Sequence, residues 1–123
     1  IRRIGREANL ELSLDSHGFC CIPFKKFLII IEVPEDHAEY VYFDTKVFDI
    51  GFAQNPSKVY TKVALAQTQN VTFGKQGSTL RIEEDEVILS SNRAIRDLNF
   101  GKMVECFEDH MQTAIDINRD LSK

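Results

Sequence analysis

Five apolar residues in a row, Phe27 to Ile31, stand between the lysine pair Lys25-Lys26 and the turn-like segment Pro34 to His37. Successive side chains of a strand point to opposite faces, so a strand with one face in water alternates apolar and polar residues. This segment does not alternate. It reads as a strand that needs cover on both faces, and the cover comes either from the chain itself or from a second molecule.

The neighbouring segments indicate what the chain can supply. Ile1, Ile4 and Ala8 recur at helical spacing with arginines between them, the pattern of an amphipathic helix. The chain opens at Ile1 rather than Met, so this helix is expected to be truncated at its N-terminus. Leu10, Leu12 and Leu14 alternate with polar residues before a turn. Phe19–Phe24, Lys26–Val33 and Glu39–Phe48 then read as three strands of an antiparallel meander, with Pro23 marking an edge or a bulge. Asn55 is placed to cap a helix that carries Pro56 at its first position, with Val59, Val63 and Ala66 as its apolar stripe. Ser78–Glu84 and Glu86–Ser91 form a hairpin across an acidic turn, with Leu80, Ile82, Val87 and Leu89 inward. A long helix follows, expected to be capped by Asp97, with Phe100, Val104, Phe107, Met111, Ala114, Ile117 and Leu121 on its core face.

The expected fold is α+β, a single antiparallel sheet with the order α-β-β-β-α-β-β-α. In it, the first and last helices should cover Leu28 and Ile30, leaving Phe27, Ile29 and Ile31 to a partner chain. A strand buried wholly within its own domain would show the same pattern.

Length and charge narrow the function. A chain of 123 residues is expected to form one domain, 1–123, and can bury roughly two-thirds of its unfolded surface without a disulfide or metal. The net charge of -4 argues against a nucleic-acid or anionic-membrane surface. No apolar run approaches the ~20 residues of a membrane span. Cys20, Cys21 and Cys106 are odd in number with two adjacent, a poor disulfide framework that points to a reducing cytosol.

The motifs of catalysis are incomplete. Gly74 to Thr79 invites comparison with a phosphate-binding loop, but Gln76 follows Lys75, and Gln69 occupies the first glycine's place. His17, His37, His110 and the three cysteines lack metal-ligand spacing, so buried thiols and exposed turn histidines are expected. Cys106 and His110 lie one helical turn apart without a third orienting group. The Asn70 sequon carries no meaning in a cytosolic chain, and Glu83 to Glu86 reads as a solvated turn. No catalytic, cofactor or metal-binding residue is expected, which favours a binding protein over an enzyme.

Three stretches resemble the class I type III secretion chaperones, the Tir-chaperone-like family of Gram-negative bacteria. Leu10 to Phe24 is similar to the family's leucine-rich opening and first strand. Val63 to Asn70, the glycine loop and Ser78 to Ser91 are similar to its helix-then-hairpin unit. Phe100 to Ile117 is similar to its C-terminal helix. Gln67-Thr68 depart from the aliphatic residues more usual in the family's second helix.

The resemblance implies a homodimeric, cytoplasmic, ATP-independent chaperone that holds the N-terminal segment of a secreted effector extended, without cofactor, nucleic acid or membrane insertion. It implies a dimer interface at Val59, Tyr60, Val63, Ala66, Leu80 and Ile82. For the effector it points to Ile1, Ile4, Leu10, Leu12, Phe24, Phe27 and Ile29. The alternatives are a regulator of the secretion system that acts by sequestering a protein, and a small-molecule-binding α+β domain with a pocket lined by Tyr40, Tyr42 and His37.

Overall fold

The computed structural model describes residues 19–33 and 39–123. Their elements are β1 (Phe19–Phe24), β2 (Phe27–Glu32), β3 (Tyr40–Asp49), a 3-10 turn (Ile50–Phe52), α1 (Pro56–Thr68), β4 (Thr79–Glu83), β5 (Glu86–Ala94), a second 3-10 turn (Ile95–Asp97) and α2 (Phe100–Leu121). The five strands form one antiparallel sheet in the order β1-β2-β3-β5-β4. This is the α+β architecture expected. The helix expected ahead of β1 lies outside the described residues.

Local chemistry sets the element ends. Asn55 caps α1, its side chain accepting from the Lys58 N–H, and Pro56 opens the helix, as the sequence predicts. Glu84 and Asp85 join β4 to β5 with φ of 48° and 66°. Positive φ at both central residues is the type I′ turn, whose twist matches that of the strands. The helix start at the C-terminal end differs from expectation. Asn99, not Asp97, is the cap of α2, its Oδ1 accepting from the Lys102 N–H at 2.9 Å. Residues 95–97 instead wind into the 3-10 turn, closed by the Leu98 N–H on the Ile95 carbonyl.

Both helices pack on one face of the sheet. Towards β1 and β2, Cys20, Ile22, Ile29, Ile31, Val41 and Phe43 meet Met103 and Cys106 of α2. Towards β4, Val47, Leu80, Val87 and Leu89 meet Val59 and Val63 of α1 and Ala114, Ile117 and Leu121 of α2. Each fully buried aliphatic side chain here contributes about 1.5–3 kcal/mol. The expected parity of β2 is therefore reversed. Ile29 and Ile31 pack under α2 and Phe27 is buried beside them, while Leu28 points to the opposite face and Ile30 is half-buried there.

The register between β3 and β5 slips between Lys46 and Phe48. This bulge places Val47 in the core and lets Phe48 pack against the same cluster. A bulge frees ladder groups, and Asn118 of α2 donates to the Val47 carbonyl at 2.7 Å. The buried stripe of α2 is Met103, Cys106, His110, Thr113, Ala114, Ile117 and Leu121. Val104, Phe107 and Met111, expected at its centre, are half-buried at its flank.

Candidate protein-binding surfaces

No helix of the described residues lies on the other face of the sheet. Side-chain alternation puts Cys21 and Pro23 of β1, Leu28 and Ile30 of β2, Tyr40, Tyr42, Asp44 and Lys46 of β3, Ile88 and Ser90 of β5, and Arg81 of β4 on it. Leu28 is 49% exposed and Tyr40 39%. A groove of about 580 Å³ is lined by Leu28, Ile30, Lys46, Arg81 and Ile88 of this face and reaches Phe27, Val47 and Asn118 of the covered side. Its rim is charged on both signs. Arg81 pairs with Asp44 at 3.4 Å and Glu83 at 2.9 Å, and Lys46 with Asp49 at 3.2 Å and Glu86 at 3.5 Å. Ser90 donates to Asp44 at 2.6 Å and accepts from Arg81. Half-exposed pairs of this kind add little stability, but the network holds Arg81 across Ile88, which is 8% exposed although no helix of the described residues covers it. The result is a shallow apolar strip with polar walls.

A second surface lies at the β4 edge. Glu83 and Glu86 flank a two-residue turn, so Leu80 and Ile82 fall at positions whose peptide groups point away from β5. Gln67 of α1 donates its side-chain N–H to the Leu80 carbonyl at 3.1 Å, covering part of that edge. Ile82 keeps its outward peptide groups. The Tyr60 hydroxyl donates to Asp85 in the β4–β5 turn, which raises the Tyr60 pKa, and the Ile50 N–H donates to the Asp85 carbonyl at 2.8 Å. Around this tie, Phe52 is 87% and Leu65 51% exposed.

The residues expected to bind partners divide sharply. Val59, Val63 and Leu80 are buried in the protein's own core, Ala66 and Ile82 are half-buried, and Tyr60 is exposed. Phe27 and Ile29 are core residues, and Phe24 is half-buried against them. Ile1, Ile4, Leu10 and Leu12 lie outside the described residues. Tyr40 and Tyr42 stand 6.4 Å apart as tilted rings on the open face. They line none of the three surface grooves at Leu28, at Lys75 and at Phe52, and His37 lies outside the described residues.

One polar cluster escaped the sequence reading. His110, expected at the surface, is wholly buried. Its Nε2 lies 2.7 Å from Thr45 Oγ1 and its Nδ1 2.8 Å from Ser91 Oγ, with Ser91 in turn bonded to Ser78. The cluster separates the two apolar halves of the core. Hydroxyls both donate and accept, so they satisfy a neutral imidazole. Burial lowers the His110 pKa to about 4, against the weaker opposing pull of Asp44 and Asp109. Its place in the Met103-Cys106-Ala114-Ile117 stripe is the signal that could have found it. These hydrogen bonds tie α2 to β3 and β5 through the core.

No family model and no curated protein matches the sequence. Solved structures match in fold. The ExsC–ExsE complex gives a TM-score of 0.74 at 16% identity over 98% of this chain and 86% of that one. The Yersinia pestis type III secretion chaperone SycH, with a stable fragment of YscM2, gives 0.67 at 12% over 98% and 95%. The HopA1–SchA chaperone–effector complex gives 0.66 at 12% over 98% and 88%. YbjN from E. coli shares the fold less closely, at 0.59 and 7% identity. Identities this low establish a shared fold and leave function to be argued from surfaces.

Proposed function

We propose that this chain, whose fold is that of class I type III secretion chaperones, binds the N-terminal segment of an effector in the bacterial cytoplasm and keeps it extended without ATP. The observation that carries the reading is the sheet face that no helix of the described residues covers. Leu28, Ile30 and Ile88 offer a shallow apolar strip between charged walls, a shape suited to an extended segment that presents alternate side chains. Full-length similarity in fold to chaperone complexes supports it.

On β2 the effector would meet Leu28 and Ile30, since Phe27 and Ile29 of the same strand are buried. A homodimer would form at the α1 and β4 side. Tyr60, Leu65, Ala66 and Ile82 would meet the second copy, and Val59, Val63 and Leu80 would hold them in place from the core behind.

Light scattering on the purified protein, with capture from a Gram-negative host that carries a secretion system, tests both parts. The expected result is a dimer that protects the N-terminal segment of a captured protein from proteolysis. Leu28→Asp should abolish the capture and leave the dimer folded. A monomer without a protein partner would overturn the reading.

A further inference from the structure

The groove beside Leu28 follows a break in the sheet. The β2–β3 ladder runs only from Ile29 and Thr45 to Glu32 and Tyr42, so Phe27 and Leu28 have no partner on β3, and Lys46, Phe48 and Asp49 pair with β5 alone. Strands that part in this way leave a notch between them. Phe27, Val47 and Phe48 line it together with Leu28. Asn118 reaches it from α2, but its side-chain N–H is already used on the Val47 carbonyl at 2.7 Å. The notch therefore suits an apolar side chain.

The charges beside the notch do not balance. Lys46 is shared between Asp49 and Glu86, and Arg81 between Asp44 and Glu83, so each cluster keeps one negative charge in excess. Glu83 and Glu86 also stand directly opposite each other across the β4–β5 ladder, an unfavourable like-charge pair that a cation would relieve. Both are within reach, their side chains 60% and 43% exposed. On the other bank Lys26 lies over the Phe27 ring at 5.7 Å. The groove is thus negative towards β4 and β5 and positive towards the β1–β2 turn, which orients a charged partner across it. Alternate side chains of an extended chain share a face about 7 Å apart. The apolar notch and the acidic bank therefore call for an apolar residue and a cation two positions apart.

We propose that the segment held on this face carries an apolar residue with a lysine or arginine two positions away, the apolar side chain in the notch beside Leu28 and the cation at Glu83 and Glu86. This rests on the chaperone reading and adds to it the chemistry by which one segment is chosen over another.

The probes are the peptide acetyl-Thr-Leu-Thr-Lys-Thr-amide and its analogue with glutamate in place of lysine, each titrated into the 15N-labelled protein. Shifts are expected at the Leu28, Phe48 and Glu86 amides, with the lysine peptide bound about fivefold tighter, as exposed charge pairs would give. In about 1 M sodium chloride, where screening shortens to about 3 Å, that ratio should fall towards one. Glu83→Gln combined with Glu86→Gln should bring the two peptides level, and Leu28→Asp should abolish the shifts of both. Equal binding of the two peptides by the parent protein, or shifts with neither, would overturn the proposal. Partner capture separates the two readings. If Leu28→Asp loses the partner while the double glutamine variant captures it as the parent does, the charge selection fails and the chaperone reading stands. If Leu28→Asp also captures it as the parent does, both fail.

Discussion

Phe27, Ile29 and Ile31 are at most 7% exposed, whereas Leu28, between the first two on the same strand, is 49% exposed. The side chains are nearly equivalent in chemistry, and adjacent residues differ only in which face of the sheet they reach. One face carries α1 and α2, with a core divided by His110 into two apolar halves. The other carries a thin apolar strip under charged pairs. The contrast shows that apolar content alone does not mark a core. A face serves stability where helices close over it, and the proposed recognition falls on the face that no helix of the described residues covers.

Substitution on neighbouring residues is the most direct way to break this comparison. Ile29→Asp should prevent folding, since an unpaired buried charge costs several kcal/mol or more against a total of about 5–15 kcal/mol. Leu28→Asp should stay within about 1 kcal/mol of the parent in urea denaturation. Equal losses in the two variants would mean that both faces are core.

Acid should strike the covered face next. The His110 imidazole titrates at its ordinary 6.5 when unfolded and at about 4 when folded. Between these values the unfolded chain holds the proton that the folded chain lacks, so stability falls as the pH drops from 6.5 towards 4. It is fully present above that window, and the total loss is on the order of 3 kcal/mol. Denaturation midpoints across this window should show the slope, and His110→Gln should flatten it.

A smaller loss is expected where the loop after α1 meets α2. Gly74 has φ of 69°, and a Cβ there would run into the Thr113 hydroxyl and the Asp109 carboxylate. Gly74→Ala should cost about 1–3 kcal/mol by thermal melting. The least effect belongs to the open face. Arg81→Ala breaks two half-exposed pairs and should change stability by about 1 kcal/mol or less, while uncovering Ile88 and altering partner binding.

The strands around Phe19, Phe27 and Tyr40, the Asn55–Pro56 helix start and the acidic β4–β5 turn could be read from the chain, because each rests on neighbours within a few residues. The cap at Asn99 was missed because Asp97 is an equally good capping residue type, and only the 3-10 turn at 95–97 moves the start. His110 was missed because burial of a histidine depends on hydroxyls from β3 and β5, 65 and 19 residues away in sequence. The notch beside Leu28 opens where the β2–β3 ladder stops, and no linear spacing announces that point.

What the sequence determined by itself is the inventory: the five strands and their turns, the helix that Asn55 caps, the body of the last helix, one antiparallel sheet, and a strand at Phe27–Ile31 too apolar to stand in water on both sides. Which parity of that strand became core was decided only in three dimensions. A run without alternation carries no period-2 signal to distinguish its faces. The pairing of Ile29 with Thr45 and Ile31 with Phe43 aligned them with the side that α2 covers, and left Leu28 and Ile30 on the side that no helix of the described residues covers.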